Sequence, residues 1–159
     1  MTNTSSPTPT DGVSRRGLVA RLAAAGAAGL AALRVAPALG SSDVPRVVYH
    51  LADREKVQFV LGNIDNHIKG MGGRDKVTIA LVVHGPALLE FSARGANADL
   101  ARHIARIGDD GVDLGACGNT LDAQKLTVAD LVPGFARIEE GGVVRLAQLQ
   151  AAGWAYLRP

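Results

Sequence analysis

The sequence predicts an α/β protein, a three-layer α/β/α sandwich built on a mostly parallel sheet of about five strands. Three observations predict it. Beyond Pro45 the hydrophobic pattern switches repeatedly between short apolar runs and the three-to-four-residue spacing of amphipathic helices. The run KVTIALVVH over Lys76 to His84 is apolar almost throughout, as in a strand buried on both faces of a parallel sheet. Strands that alternate with helices imply parallel pairing through right-handed crossovers.

The elements run in order along the chain. Arg46 to Leu51 (RVVYHL) is rich in β-branched residues and reads as the first strand, with Asp53 placed to cap the next helix. Val57, Val60, Leu61, Ile64 and Ile68 recur at helical spacing until Gly70 to Gly73 stop the helix. Lys76 to His84 is the second strand, ended by Gly85-Pro86. Ala87 to Phe91 suits a short helix, and Leu100, Ile104 and Ile107 form the apolar stripe of a longer one before Asp109-Asp110-Gly111 turns the chain. Val112 to Ala116 is a third strand. Cys117-Gly118-Asn119-Thr120 reads as a tight connection, and Leu121, Leu126, Val128 and Leu131 suggest two short helices broken by Pro133-Gly134. Ala136 to Glu139 is a fourth strand, Gly142 to Ala152 a helix closed by Gly153, and Trp154 to Leu157 a last short strand. An α+β fold with that last strand antiparallel at one edge fits the same string of elements.

The first 42 residues read differently. Met1 to Gly12 is polar and rich in Thr, Ser and Pro, which predicts disorder. Ser14-Arg15-Arg16-Gly17-Leu18-Val19-Ala20 precedes an Ala/Leu/Gly run from Leu22 to Leu33 and then Ala36-Pro37-Ala38. This is the order of charged region, apolar region and cleavage site in an export signal. The paired arginines resemble a twin-arginine signal, with Leu18 and Ala20 where Phe and Lys are commoner. The apolar run falls short of the roughly 20 residues of a membrane span. The expected organisation is therefore a signal and flexible start over 1–42 and one domain over 43–159. Membrane contact is expected only through an uncleaved signal, and the destination is the periplasm. Cleavage after Ala38 would leave 121 residues, enough to bury a core.

Of the 159 residues, 17 are Lys or Arg and 15 are Asp or Glu. The segment 1–42 holds four arginines against Asp11, so 13 basic and 14 acidic residues remain from Asp43 onward. A near-neutral domain without a basic stripe argues against nucleic acid as a partner. Gly70-Met71-Gly72-Gly73 and Gly141-Gly142 match no phosphate-binding fingerprint, and there is no nucleophile elbow of a Ser hydrolase. No metal-ligand spacing is present, and no cofactor or metal is expected.

Chemistry is expected at Cys117, the only cysteine. It stands at the carboxyl end of a parallel strand, where ligand sites of open α/β sheets gather. Asn119 or Thr120 could cap the next helix, whose free N–H groups and dipole favour a thiolate. Export to an oxidising compartment disfavours an idle thiol, and a single cysteine forms no internal disulfide. His84 closes the second strand and His50 lies near the end of the first. If these strands neighbour the third, an imidazole can approach Cys117. His67 and His103 lie within helices beside polar residues and read as solvated. Trp154 and Tyr156 read as core or interface anchors.

Val47-Val48-Tyr49-His50-Leu51, Leu61-Gly62-Asn63-Ile64-Asp65-Asn66-His67 and Val82-Val83-His84-Gly85-Pro86-Ala87-Leu88 resemble the DsrE/DsrF-like family and its YchN-like α/β domain. Ala116-Cys117-Gly118-Asn119-Thr120-Leu121 and Gly153-Trp154-Ala155-Tyr156-Leu157-Arg158-Pro159 resemble its exported single-cysteine members, so the likeness spans nearly all of Arg46 to Pro159. The resemblance implies a homo-oligomer, trimer or hexamer, with the cysteine near a subunit boundary. In the sulfur-relay members a cysteine accepts sulfane sulfur as a persulfide and passes it on. Carried over, this makes Cys117 the sulfur-bearing residue, and His84 and Asn119 match family positions; the strand-end placement adds His84 as its catalytic companion. Gly85, Gly118, Asn119 and His50 become substrate-binding candidates, and small sulfur compounds or sulfur donor and acceptor proteins become the partners. The competing expectations are a non-enzymatic oligomeric binding module with a structural Cys117, and, more weakly, a cysteine-dependent hydrolase or reductase, the latter lacking a resolving cysteine.

Overall fold

A computed structural model describes residues 44–159; the signal and cleavage site expected over 1–42 lie outside the described residues. Five strands, β1 (Arg46–Leu51), β2 (Thr78–Val83), β3 (Asp113–Cys117), β4 (Ala136–Ile138) and β5 (Ala155–Leu157), pair in the order β4-β3-β2-β1-β5, every pair parallel. The antiparallel alternative for the last strand is thereby excluded: β5 lies parallel beside β1, with Val48 opposite Tyr156.

The helices α1 (Val57–Gly70), α2 (Ala98–Asp109), α3 (Gly118–Gln124) and α4 (Gly142–Ala151) connect the strands. From β1 to β4 the chain steps in one direction along the sheet, and right-handed crossovers then keep α1, α2 and α3 on one face. The return from β4 to β5 runs the opposite way, so the same handedness puts α4 on the other face. Period-two alternation divides the strand residues accordingly. Val47, Tyr49, Leu51, Ile79, Leu81, Val83, Leu114 and Ala116 join the larger core, where the stripes Val60-Leu61-Ile64 of α1 and Leu100-Ile104-Ile107 of α2 are buried. Val48, Ala80, Val82 and Ile138 face Leu146 and Leu149 of α4 in a smaller core, with Trp154 packed against it.

Several local details differ from the sequence reading. The second strand begins at Thr78, because Arg74–Lys76 forms a 3-10 turn, and ends at Val83. Gly85–Phe91 is a 3-10 helix. Asp53 precedes a 3-10 turn without capping it by its side chain; its carboxylate meets Arg158 at 3.3 Å. Asn97 does cap α2, its Oδ1 accepting the Leu100 N–H at 2.8 Å. No connection separates β3 from α3: the helix starts at Gly118 with Cys117 itself as N-cap, so Asn119 and Thr120 are helical residues and not caps. His67 and His103 are half-buried, His67 Nδ1 hydrogen bonded to the Tyr49 hydroxyl at 2.9 Å and His103 Nε2 lying 2.9 Å from the Asp65 carboxylate without hydrogen-bond alignment. Among the described residues, no helix is long and apolar enough to cross a membrane.

Candidate functional site

The carboxyl edge of the sheet, on the face covered by α4, collects the expected residues. Cys117 follows Ala116, which pairs with Val83, and His84 follows Val83. The two residues therefore stand side by side on neighbouring strands, whose spacing is about 4.8 Å. Alternation turns both toward α4, whose first residue fits between them. A Cβ built on Gly142 would lie 3.3 Å from Cys117 Cβ and 3.4 Å from His84 Cβ. A side chain here would force its neighbours or the helix start to give by a few tenths of an ångström, and glycine avoids that.

That approach has a chemical consequence. The Gly142 N–H, one of the unpaired donors at a helix start, donates to Cys117 Sγ at 3.1 Å. Burial pushes the thiol pKa up. The Thr120 hydroxyl and the backbone N–H groups of Gly142, Thr120 and Asn119 outweigh it, and the net result is a pKa below the ordinary value. The sulfur thus sits between the starts of α3 and α4, which both favour negative charge. Cys117 is nevertheless only 6% exposed.

His50 and His84 are also brought together. Their rings lie nearly coplanar and end to end, centroids 4.7 Å apart with an 18° tilt, and are hydrogen bonded through Nε2 on each side. His50 Nδ1 lies 2.6 Å from the Tyr156 hydroxyl. Burial, then the neighbouring His84 and Arg158, lower the His50 pKa to about 4, with Asp53 opposing. Burial and Arg158 lower that of His84, again against Asp53.

The remaining candidates frame the site. Asn119 is exposed beside Gly141, where a Cβ would come within 2.6 Å of its Nδ2. Gly118 packs under β4, its Cβ position lying 2.8 Å from the Ile138 carbonyl oxygen. Gly85 has both backbone groups engaged: its N–H donates to Thr120 Oγ1 at 3.0 Å, and its carbonyl accepts from Gln124 Nε2 at 3.0 Å. It ties the end of β2 to α3, with φ at +60°. A cleft of about 240 Å³ opens on the same face between Gly115, Arg137, Ile138 and Arg145, and Cys117 is not part of its lining. Among the described residues, no three His, Cys, Asp or Glu side chains converge as metal ligands would.

Three contributors escape the sequence reading. Gly142 donates to the sulfur, the Thr120 hydroxyl helps lower its pKa, and Tyr156, expected as an anchor, is 38% exposed with its hydroxyl on His50. The placement of Tyr156 follows only from the β1–β5 register, which sets it opposite Val48, two residues before His50 on the same face.

No protein-family model matches the sequence, and no curated protein does. Solved structures do. A protein of unknown function from Methanobacterium thermoautotrophicum, MTH1491, superposes with a TM-score of 0.63 at 26% identity, over 72% of this chain and 99% of that one. The ychN protein from E. coli gives 0.54 at 15% identity over 72% and 99%. The conserved protein of unknown function BT1422 from Bacteroides thetaiotaomicron gives 0.53 at 11% identity over 72% and 94%. The chain has the YchN-like fold. The α/β architecture expected from the resemblance is thus the observed one, and the likeness to MTH1491 extends to sequence.

Proposed function

We propose that this chain is a DsrE-like sulfur carrier that holds sulfane sulfur as a persulfide on Cys117. The observation that carries the reading is the sulfur's setting: a lone thiol at the carboxyl end of a parallel strand, at the N-cap position of α3 and receiving the Gly142 N–H from the start of α4, with a pKa below the ordinary value. A thiolate is the nucleophile in sulfur exchange. The Cys117 thiolate attacks the outer sulfur of a donor persulfide, R–S–SH. A bond forms between Sγ and that sulfur, the R–S to S bond breaks, and its electron pair leaves on R–S⁻. Cys117 becomes Cys–S–SH, and no external oxidant or reductant enters. The reverse exchange delivers the sulfur to an acceptor thiol.

The reading includes export through the twin-arginine route to the periplasm and self-association into a trimer or hexamer. Mass determination of the amino-terminal peptide from a periplasmic fraction, and light scattering on the purified protein, test these two parts. One observation favours a second reading, a binding module with a packed cysteine: the 6% exposure of Cys117. The deciding experiment is intact mass of the reduced protein before and after polysulfide, with Cys117→Ser as control. The carrier gains whole sulfur atoms that a reductant removes, and the variant gains none. A wild-type protein that takes up no sulfur and resists an alkylating probe is the binding module.

A further inference from the structure

The cleft of about 240 Å³ on the α4 face lies along the same strand as the sulfur and has no part in the exchange at Cys117 as described above. Leu114 and Ala116 of β3 join the larger core, so alternation turns Asp113, Gly115 and Cys117 toward the α4 side. Asp113 and Gly115 line the cleft. Cys117 is the next residue on that face, just beyond the cleft's end.

The cleft exists because of where α4 lands. Leu146 and Leu149 pack with Val48, Ala80 and Val82 of β1 and β2, which leaves β3 and β4 partly uncovered. The floor there is a pair of small residues, Gly115 opposite Ala136. Ile138 forms the partition toward the sulfur. It stands opposite Cys117 in register but leans back over Gly115, where a Cβ would meet its Cδ1 at 2.6 Å. What separates cleft and sulfur along this strand is thus the end of a flexible side chain and not backbone.

Charges of both signs line the cleft. The Arg137 guanidinium is committed elsewhere, to Asp122 and Glu139 at 2.8 Å each. Arg145 is held more loosely, its Nη2 lying 3.7 Å from the Asp113 carboxylate, too far for a hydrogen bond. Glu140 adds a second carboxylate. A zwitterion finds a partner here for each of its charges: the guanidinium of Arg145 for a carboxylate, and Asp113 with Glu140 for an ammonium group.

We propose that this cleft binds a short zwitterionic peptide thiol, two or three residues long, which brings sulfur to Cys117 as its persulfide and leaves as the thiol. The proposal rests on the reading of Cys117 as the sulfur-bearing residue. Length follows from the strand. Asp113 and Cys117 are four positions apart on β3, about 13 Å, and an extended chain of three residues spans about 10–11 Å before its end groups are counted. With its charged end on Asp113 and Arg145, such a peptide reaches past Ile138 to the sulfur. The Cys117 thiolate then bonds to the outer sulfur of the peptide persulfide. The donor's sulfur–sulfur bond breaks, its electron pair stays on the peptide thiolate, and no oxidant or reductant enters.

Calorimetric titration of the reduced full chain with reduced glutathione, a three-residue thiol with both charges and no sulfane sulfur, tests binding apart from exchange. The expected result is saturable binding that weakens about ten-fold or more in Arg145→Gln, the loss of one charge-assisted hydrogen bond, and weakens also in Asp113→Asn. Both side chains are partly exposed, and both substitutions keep their approximate size. No binding to the folded wild type at millimolar glutathione, or equal affinity in Arg145→Gln, would overturn the proposal. With sulfur donors, the rate preference of Cys117 for glutathione persulfide over inorganic polysulfide is expected to fall about ten-fold or more in Arg145→Gln; an unchanged preference would also overturn it. Glutathione binding with these variant effects, in a protein that takes up no sulfur, keeps the cleft as a peptide-thiol site and removes the carrier reading.

Discussion

Replacing Gly142 by alanine sets the helix propensity of α4 against the hydrogen bond that its first residue donates to Cys117. The new Cβ would stand 3.3 Å from Cys117 Cβ, 3.4 Å from His84 Cβ and 3.4 Å from Val82 Cγ1. Two of these neighbours are fixed by the strand backbone, so the start of α4 has to back away by a few tenths of an ångström. The N–H to Sγ distance, 3.1 Å in the native chain, lengthens with it. A hydrogen bond to a charged acceptor contributes about 1.5–3 kcal/mol. Losing about half to all of one corresponds to roughly half a pH unit to two units in the thiol pKa, with about one in the middle of the range. Alanine gains about 1 kcal/mol of helix propensity over glycine, while crowding costs about 1–3 kcal/mol, so stability moves by no more than about 2 kcal/mol. The assay is the pH profile of Cys117 alkylation followed by intact mass, alongside urea unfolding. The expected outcome is a midpoint about one pH unit higher. At pH 7 the rate falls only about threefold, because the fewer thiolates are individually better nucleophiles. A midpoint unchanged in a folded Gly142→Ala protein would refute the assignment of the Gly142 N–H as a donor that tunes the sulfur.

His50 and Cys117 should both make stability depend on pH. A histidine lowered from its usual 6.5 to about 4 stays neutral when folded but charges when unfolded, so stability is full above pH 6.5 and is lost as pH falls toward 4. The loss is on the order of 2 kcal/mol after allowance for solvent screening, and His50→Asn should flatten that part of the unfolding profile. A depressed thiol adds stability that is complete above the unfolded thiol pKa, about 8.5, and fades as pH falls through the folded value, a slope that Cys117→Ser should remove. Gly118→Ala should cost about 2 kcal/mol or more in thermal unfolding, because its Cβ would meet the Ile138 carbonyl oxygen at 2.8 Å. Gly115→Ala should cost less, since its closest obstacle at 2.6 Å is the movable Cδ1 of Ile138. Asp65→Asn, which weakens the paired bonds to Arg106 at 2.9 and 2.8 Å between α1 and α2, should cost about 1 kcal/mol by urea unfolding.

The fold was legible because its elements are strongly periodic and sharply bounded. The stripe from Val57 to Ile68 and the unbroken apolar run around β2 leave few alternatives, and the glycines after α1 and α4 mark their ends. Cys117, His84 and His50 were legible as strand-end residues for the same reason: parallel strands put all their carboxyl ends on one edge. The sequence does not state the strand order, and with it goes the knowledge that α4 returns across the opposite face. The contact of Gly142 with Cys117 depends on that return and has no local signature; a Gly-Gly pair before a helix looks like an ordinary turn. Tyr156 reads from sequence, like Trp154, as a core or interface anchor. Its placement beside His50 needs the β1–β5 register, which the crossover creates.

The central claim is that Cys117 takes up and hands on sulfane sulfur. The measurement that tests it most directly is peptide-resolved mass of the reduced protein after polysulfide, and again after a low-molecular-weight thiol acceptor is added. The account predicts one or more added sulfur atoms confined to the peptide containing Cys117, discharged to the acceptor with return of the free thiol, and no uptake in Cys117→Ser. Sulfur absent from that peptide under conditions that load a free cysteine would contradict it.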